Sequence, residues 1–550
     1  MNNADVIVRA LHAAGIRHCF GVPSGNVIPL MDAMRRGGID FVLTAHEGSA
    51  GFAADVMARL SGTPGFCAAT LGPGATNLAT GVGNAWLDRS PLIAVTCNLP
   101  SSQIGRRMQM WIDHQALFKP ITKASIMLRP GEVMSAVREA LTIALSEPAG
   151  PVHLDLPEDV AVAAAADEPA EPPSPSRRPP PPAPAIRHAA GILASSQRPI
   201  AVIGANARRM QSVELLHRFV HHHRLPFFTT TMAKGLIDED DELCLGCIER
   251  ARRQVQRAFL RRADLIVGIG YDTVEVEYEA WAQGVGILHV DIEPADVDAT
   301  VDMQAELVGD LDAAVTALLA AAARPPAWNG EELREHRRQF RQSLRPSGAV
   351  RADPSRRLAA GSMSPHIAID VVRDVLPRDG ILAFDVGAHT HQIASQWTAH
   401  AARSFLITNG WSSMGFGLPA AIAAKIARPD AAVVCIVGDG CFQMTCGELA
   451  VARRLGLSIP FVVLVDHCLS LIKVKQERRN VPVYGTRLQD DRELEAVWPA
   501  PPAHYFGVPA CGAASPAELA RLLQRAFAAP GPTVIEAAVD ADGYLETVYD

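Results

Sequence analysis

Long apolar runs are missing: no stretch of the 550 residues is apolar for the length needed to cross a bilayer. The segment Met1 to Arg9 carries Asp5 and no apolar centre, so it does not read as a secretory signal. A basic excess is missing too. Arginines are plentiful but matched by acids, the net charge is -8, and no long basic stripe marks a nucleic-acid binder. Cysteine is sparse, ten residues over the whole chain, which excludes a disulfide scaffold. Cys244 and Cys247 form one CxxC pair, with His221, His222 and His223 upstream. A structural zinc site needs four ligands in a recognisable spacing, and a second CxxC is absent. The expectation here is two half-buried cysteines and a solvated histidine cluster at a helix end. These exclusions leave an enzyme of the cytoplasm as the default, with no nucleic-acid and no membrane partner.

What is present is ordinary for an α/β protein, 48% hydrophobic and 20% charged residues. The length exceeds one hydrophobic core. Two stretches break the pattern: residues 164–185, with Pro179 to Pro182 favouring an extended linker, and residues 324–363, which mix Pro, Arg, Gly and Ser around one short amphipathic stretch near Arg334 to Leu344. The blocks between them are 1–163, 186–323 and 364–550. In the first, Phe41 to Thr44, Phe66 to Leu71 and Leu92 to Thr96 read as buried strands, with helices at Ser49 to Leu60 and Thr76 to Trp86. Pro199 to Ile203, Leu265 to Ile269 and Gly286 to Val290 read as strands in the second. Ala432 to Val437 and Phe461 to Val465 do so in the third, with a helix at Gly447 to Leu455 between them. Alternating near-continuous apolar strands and helices predict α/β architecture with three doubly wound parallel-sheet domains. Ligands in such sheets bind beyond the carboxyl ends of the strands.

Gly438-Asp439-Gly440 follows the strand ending at Val437, and Asp466 follows the next strand. A crossover helix between parallel strands makes two such carboxylates neighbours. Glycine lets the backbone approach a polyanion, and paired carboxylates suit a hard divalent ion that also touches phosphate oxygens. A GDG triplet alone is also an ordinary tight turn; the second carboxylate at the next strand end is what makes the pattern specific.

The run from Gly438 to Asp466 resembles the thiamine diphosphate motif, which begins GDG and ends in Asn-Asn or Asn-Asp; Val465 stands where the first Asn is usual. His46-Glu47-Gly48, Gly72-Pro73-Gly74-Ala75-Thr76-Asn77, Pro120-Ile121-Thr122-Lys123, Gly150 to Pro157, Asp385-Val386-Gly387-Ala388-His389 and Asn409 to Gly417 resemble the acetolactate synthase group, in the same order. The resemblance implies a pyrimidine-binding domain, a central domain and a diphosphate-binding domain, with thiamine diphosphate and Mg2+. It maps the metal ligands to Asp439, Asp466 and the Cys468 carbonyl. It places the diphosphate at Ala388, His389, Gly438, Gly440 and Cys441, the bulky wedge at Met414 and an amine-accepting carbonyl at Ser412. Pro23, Gly25, Pro73 and Asn77 belong to the pyrimidine side, where Glu47 is the catalytic carboxyl that shifts the pyrimidine tautomer, general acid–base work. A lone Glu at a helix start is otherwise a dipole contact worth ~0.3–1 kcal/mol.

Tyr271-Asp272-Thr273, in Gly268 to Glu275, resembles the flavin-independent catabolic members, so no FAD is expected. Three substrate-side positions depart from the group. Asn26 replaces a small residue, Met110 beside Gln109 replaces a Gln, and Lys475, after Leu471, aligns with the Trp that biosynthetic members use to select a second 2-oxo acid. Lys473 and Lys475 read as solvated lysines or, for Lys475, as a receiver of an anionic group. The implied reaction is decarboxylation of a 2-oxo acid with carboligation to a second carbonyl compound. A non-ligating decarboxylase and a catalytically idle regulatory homologue are the alternatives. The family cofactor bridges two subunits, so a homodimer or homotetramer is expected.

Overall fold

The structure, a computed structural model, describes residues 1–166, 169–345, 362–488 and 500–548. Three sheets organise it. The first contains β1 (His18–Gly21), β2 (Asp40–Leu43), β3 (Gly65–Thr70), β4 (Leu92–Asn98), β5 (Ala124–Met127) and β6 (Pro151–Pro157), in the order β2-β1-β3-β4-β6-β5. The second contains β7 (Pro199–Ile203), β8 (Phe227–Thr229), β9 (Cys244–Cys247), β10 (Leu265–Ile269), β11 (Gly286–Asp291) and β12 (Met303–Val308), ordered β12-β11-β10-β7-β8-β9. The third contains β13 (Ile381–Phe384), β14 (Phe405–Leu406), β15 (Val433–Gly438), β16 (Pro460–Val465), β17 (His504–Tyr505), β18 (Val508–Ala513) and β19 (Thr533–Ala538), ordered β14-β13-β15-β16-β19-β18-β17. All neighbours pair in parallel except β17 with β18. The central strands β3, β4, β7, β10 and β16 are buried at every residue, because helices cover both faces of a parallel sheet.

The expected elements appear within three residues of their sequence positions. Between β15 and β16 the expected helix spans Glu448–Arg454, and a further short helix, Asp439–Thr445, precedes it. The amphipathic stretch near Arg334 is part of a full helix, Gly330–Ser343, which buries Leu333, His336 and Phe340. Phe340 would lie 3.1 Å from a Cβ placed on Gly246, so this helix covers the edge strand β9. Cys244 and Cys247 are therefore fully buried rather than half-buried, and burial pushes their thiols up to about 12 and about 11. The histidine run divides: His223 is buried against the Leu318 carbonyl, while His221 stays exposed.

The first and third sheets share a core. The helices Glu47–Ser61 and Pro73–Leu87 cross where a Cβ on Gly81 would lie 2.5 Å from Gly51 Cα. The first of this pair packs against the third-domain helix Gly417–Ala427 and its preceding Phe416, which meets Phe52 edge-on at 5.7 Å. Gly81→Val should force these helices apart, costing about 1–3 kcal/mol. Chemical denaturation would read this as a lower midpoint; an unchanged midpoint would mean the crossing gives way without strain. Among the described residues, no helix is long and apolar enough to cross a membrane.

Candidate active site

Asp439 begins a helix directly at the carboxyl end of β15, and Asp466 follows β16. Asp439 is buried and holds the turn after β16: its Oδ2 accepts the His467 N–H at 2.7 Å and its Oδ1 the Gly440 N–H at 2.9 Å. His467 takes a positive φ of 55°, and Cys468 N–H returns to Asp466 Oδ1 at 2.9 Å. Burial, and then the neighbouring Asp466 carboxylate, pushes the Asp439 carboxyl up to about 8. A buried carboxyl raised in this way beside a second carboxylate is short of positive charge.

Beside them, the helix Ala388–Gln396 starts at Gly387, so its free N–H groups and dipole favour an anion. His389, on its first turn, lies between two glycines; a Cβ on Gly387 would come 2.7 Å from the ring and one on Gly438 3.2 Å. Burial pulls the imidazole down to about 4, and its Nε2 is buried with no hydrogen-bond partner among the described residues. Asp385 fixes the opposite wall, accepting N–H bonds from Val386, Gly415 and Gly417 at 2.8, 3.0 and 2.8 Å. Ser412 adopts φ 52° and closes the turn through its Oγ to the Asn409 carbonyl at 2.7 Å. The Met414 methyl would lie 3.5 Å from a Cβ at Gly440.

These parts line one cavity of about 210 Å³. Of the residues singled out in the sequence, Ala388, His389, Ser412, Met414, Gly438, Asp439, Gly440, Cys441, Asp466, Cys468 and Leu471 are brought together on its wall. Leu469, Ile472 and Tyr544 also line it and were missed. No motif marks Tyr544, which arrives from the end of the chain. Paired carboxylates, an orphan ring nitrogen and a helix N-terminus around one cavity fit a divalent cation with a diphosphate.

Glu47, Pro23, Gly25, Pro73, Asn77, Asn26, Gln109, Met110 and Lys475 are not on that wall. The first-domain residues gather instead at the carboxyl edge of the first sheet. Glu47 is 9% exposed and accepts the Asn77 amide at 3.0 Å. Pro73 starts the adjoining helix, and Pro23 and Gly25 lie in the loop after β1. Asn26 donates to Glu158 Oε2 at 3.0 Å and to the Asn98 carbonyl at 3.3 Å. Met110, at φ 64°, lies over the Gly72 turn, where a Cβ would meet its carbonyl oxygen at 2.3 Å; Gln109 beside it is exposed.

The residues leading into Ser412 are held from outside the third domain. The first domain's Asp88 accepts the Gly410 N–H at 2.9 Å, and its Arg59 donates to the Ile407 carbonyl at 2.7 Å. From the central domain, Glu275 accepts the Asn409 amide at 3.1 Å and Arg250 donates to the Asn409 amide oxygen. Burial pushes the Glu275 carboxyl up to about 7.

The description "Thiamine pyrophosphate enzyme, N-terminal TPP binding domain" matches residues 1–117. The central-domain description of the same family matches 186–318, and the C-terminal TPP binding domain matches 385–537. The chain belongs to the thiamine pyrophosphate enzyme family. This thiamine enzyme is 31% identical to the probable acetolactate synthase large subunit of Methanocaldococcus jannaschii, over 98% of this chain and 92% of that one. It is 32% identical to the isozyme 2 large subunit of Escherichia coli acetolactate synthase, covering 87% and 85%. The isozyme 1 large subunit of the same organism is 30% identical, covering 99% and 95%. As a thiamine enzyme, the chain has its diphosphate-compatible cavity within the span of the matched C-terminal TPP binding domain, apart from Tyr544.

Proposed function

We propose that this chain, with thiamine diphosphate and Mg2+, decarboxylates a 2-oxo acid and joins the remaining fragment to a second carbonyl compound. The observation that carries the reading is the cavity flanked by Asp439, Asp466 and His389, together with relatives named acetolactate synthase along nearly the whole chain. When bound, the cofactor supplies an acidic thiazolium carbon that adds to the ketone and accepts the electron pair released with CO2. Asp439, Asp466 and the Cys468 carbonyl would hold the metal ion. The helix start at Ala388, the His389 ring and the backbone at Gly440 and Cys441 would hold the diphosphate. Met414 would keep the cofactor bent, and the Ser412 carbonyl would accept a proton from its amine. Glu47 would hold or release a proton at the pyrimidine nitrogen.

Glu47 and Asp439 sit at the edges of different sheets, and Glu47 is not among the described residues that line the Asp439 cavity within one chain. We therefore place Glu47, Asn77, Pro73, Pro23 and Gly25 opposite the Asp439 cavity of a partner chain, in a homodimer or a dimer of dimers. No flavin is part of this reading. The crevice between β7 and β10 is filled by the chain itself: a Cβ on Gly204 would lie 2.5 Å from Tyr271 Cα, and Glu275 accepts the Ala205 and Met232 N–H groups at 3.1 Å each. The test is mass spectrometry of products from a panel of 2-oxo acids, with and without added aldehydes and FAD. Carboligated products, with rates unmoved by FAD, are expected; free aldehyde as the sole product would assign a decarboxylase instead.

The substrate side adds a second expectation. Lys473 is not a solvated lysine, being half-buried between Glu477 at 3.8 Å and Asp542 at 3.7 Å. Lys475 is half-buried two residues on, and its charge reaches the buried His391, as do those of Arg250 and Arg253. Such a cationic neighbourhood favours an anionic substrate group. A charge-assisted contact contributes about 1.5–3 kcal/mol, roughly ten- to a hundredfold in affinity. Lys475→Met should raise KM for an acidic substrate by that factor and leave neutral ones nearly unchanged. Equal effects on both would assign Lys475 to packing.

A further inference from the structure

The histidine run that the cofactor chemistry leaves unused has a different set of neighbours from those its sequence spacing suggested. The helix Glu214–His222 places His217 and His221 one turn apart on one face, with ring centroids 4.4 Å apart. The Asp241 carboxylate reaches them from the turn before β9. Its Oδ2 lies 2.6 Å from His221 Nε2 and 3.8 Å from His217 Nε2. Its Oδ1 accepts the Leu243 N–H at 2.9 Å, which fixes the group with Oδ2 toward the rings. The donor atoms of all three residues lie within 4.8 Å of one another. On the far side of His217, the exposed Glu214 carboxylate lies 3.5 Å from Nδ1.

We propose that His217, His221 and Asp241 form a zinc-class divalent-metal site on the central domain, completed by water. Two imidazoles and a carboxylate are the donor set that zinc prefers and magnesium does not. Bonds of about 2.0–2.1 Å in tetrahedral geometry separate two donors by about 3.3 Å, between the two nitrogen-to-oxygen distances found here. Both rings are open to solvent, 47% and 39% exposed, so an ion has an entry path. The neighbouring group of Asp238, Asp240 and His400 is a weaker candidate. Arg378 pairs with both of its carboxylates, at 2.8 and 2.9 Å, and opposes a second cation there.

The site has a mechanical setting. Asp241 ends a segment that fastens the central domain to the third. Glu239 donates its N–H to the Ala399 carbonyl at 3.0 Å, accepts the Ala399 N–H at 2.8 Å, and pairs with the buried Lys234 at 2.7 Å. An ion bridging the helix Glu214–His222 to Asp241 would anchor the outer end of that fastening, and binding the folded state alone raises stability by mass action.

The experiment titrates the full-length holoenzyme, in excess Mg2+, with Zn2+ against a chromophoric chelator, and follows the thermal midpoint in parallel. One Zn2+ per chain and a higher midpoint are expected. His217→Gln, and the double variant with His221→Gln, should weaken zinc binding by about tenfold or more and lose the midpoint shift, while His222→Gln and His400→Gln keep both. Because the His217 ring is exposed, the single variant should fold if the double variant does not. Undiminished zinc binding in His217→Gln would overturn the site, and so would its loss in His400→Gln.

Discussion

Asp439→Asn should abolish metal-dependent binding of thiamine diphosphate, weakening it by roughly a hundredfold or more. The substitution keeps the side chain's size but removes its charge. It also turns an amide nitrogen toward one of two N–H donors, Gly440 and His467, so one of those bonds is lost. Removing one member of a buried charge arrangement costs about 3 kcal/mol or more, which is roughly two orders of magnitude in Kd. Calorimetric titration with the cofactor, at saturating and at zero Mg2+, separates the two effects. The metal-dependent part should vanish, and the small metal-independent part should remain. A variant that still bound the cofactor tightly in a Mg2+-dependent way would remove Asp439 from the metal site.

Glu47→Gln should act oppositely, leaving cofactor affinity nearly unchanged and slowing hydrogen–deuterium exchange at the cofactor's thiazolium carbon by about a hundred- to ten-thousandfold. The side chain is nearly isosteric and keeps an oxygen for the Asn77 amide. A Cβ on Gly74 would sit only 3.4 Å from Glu47 Oε1, so the glycine keeps that oxygen approachable. Exchange at the normal rate would deny Glu47 its proton-handling role. The two variants also test the shared site. If Glu47 serves the cavity of a partner chain, mixing Glu47→Gln with Asp439→Asn produces dimers with one intact site and one doubly defective site. Statistical mixing should restore about a quarter of wild-type activity. No recovery, with subunit exchange demonstrated, would put both residues in one chain's site.

The sequence carries the metal-side half of the cavity because its residues sit at strand ends. Asp439 and Asp466 are placed by β15 and β16, and parallel pairing of those strands brings them together whatever the loops do. The first sheet orders Glu47 and Asn77 in the same way. Strand-end logic works within a sheet and does not say which two sheets face one another, so the separation of Glu47 from Asp439 within one chain is not legible from spacing. Cys244 and Cys247 look half-buried in sequence because the cover on β9 comes from the helix Gly330–Ser343, a segment that reads as linker. Tyr544 and the His217–Asp241 pairing depend likewise on long-range packing, and nothing local to them encodes it. Lys473 is lost to the sequence reading because its partner Asp542 lies near the other end of the third domain.

The anchoring of residues 407–410 bears on how such a chain can be inherited. Asp88 and Arg59 come from one domain, Glu275 and Arg250 from a second, and the backbone they hold, together with Asn409, from a third. A gene fragment encoding the third domain alone carries the cavity wall but none of the groups that set the approach to Ser412 and Met414. Recombination between relatives at the domain boundaries would hand Asn409 a Glu275 and an Asp88 of different ancestry, the first half-buried and the second buried. Exchange of a single domain should therefore succeed only where Asp88, Glu275 and Asn409 travel as a set.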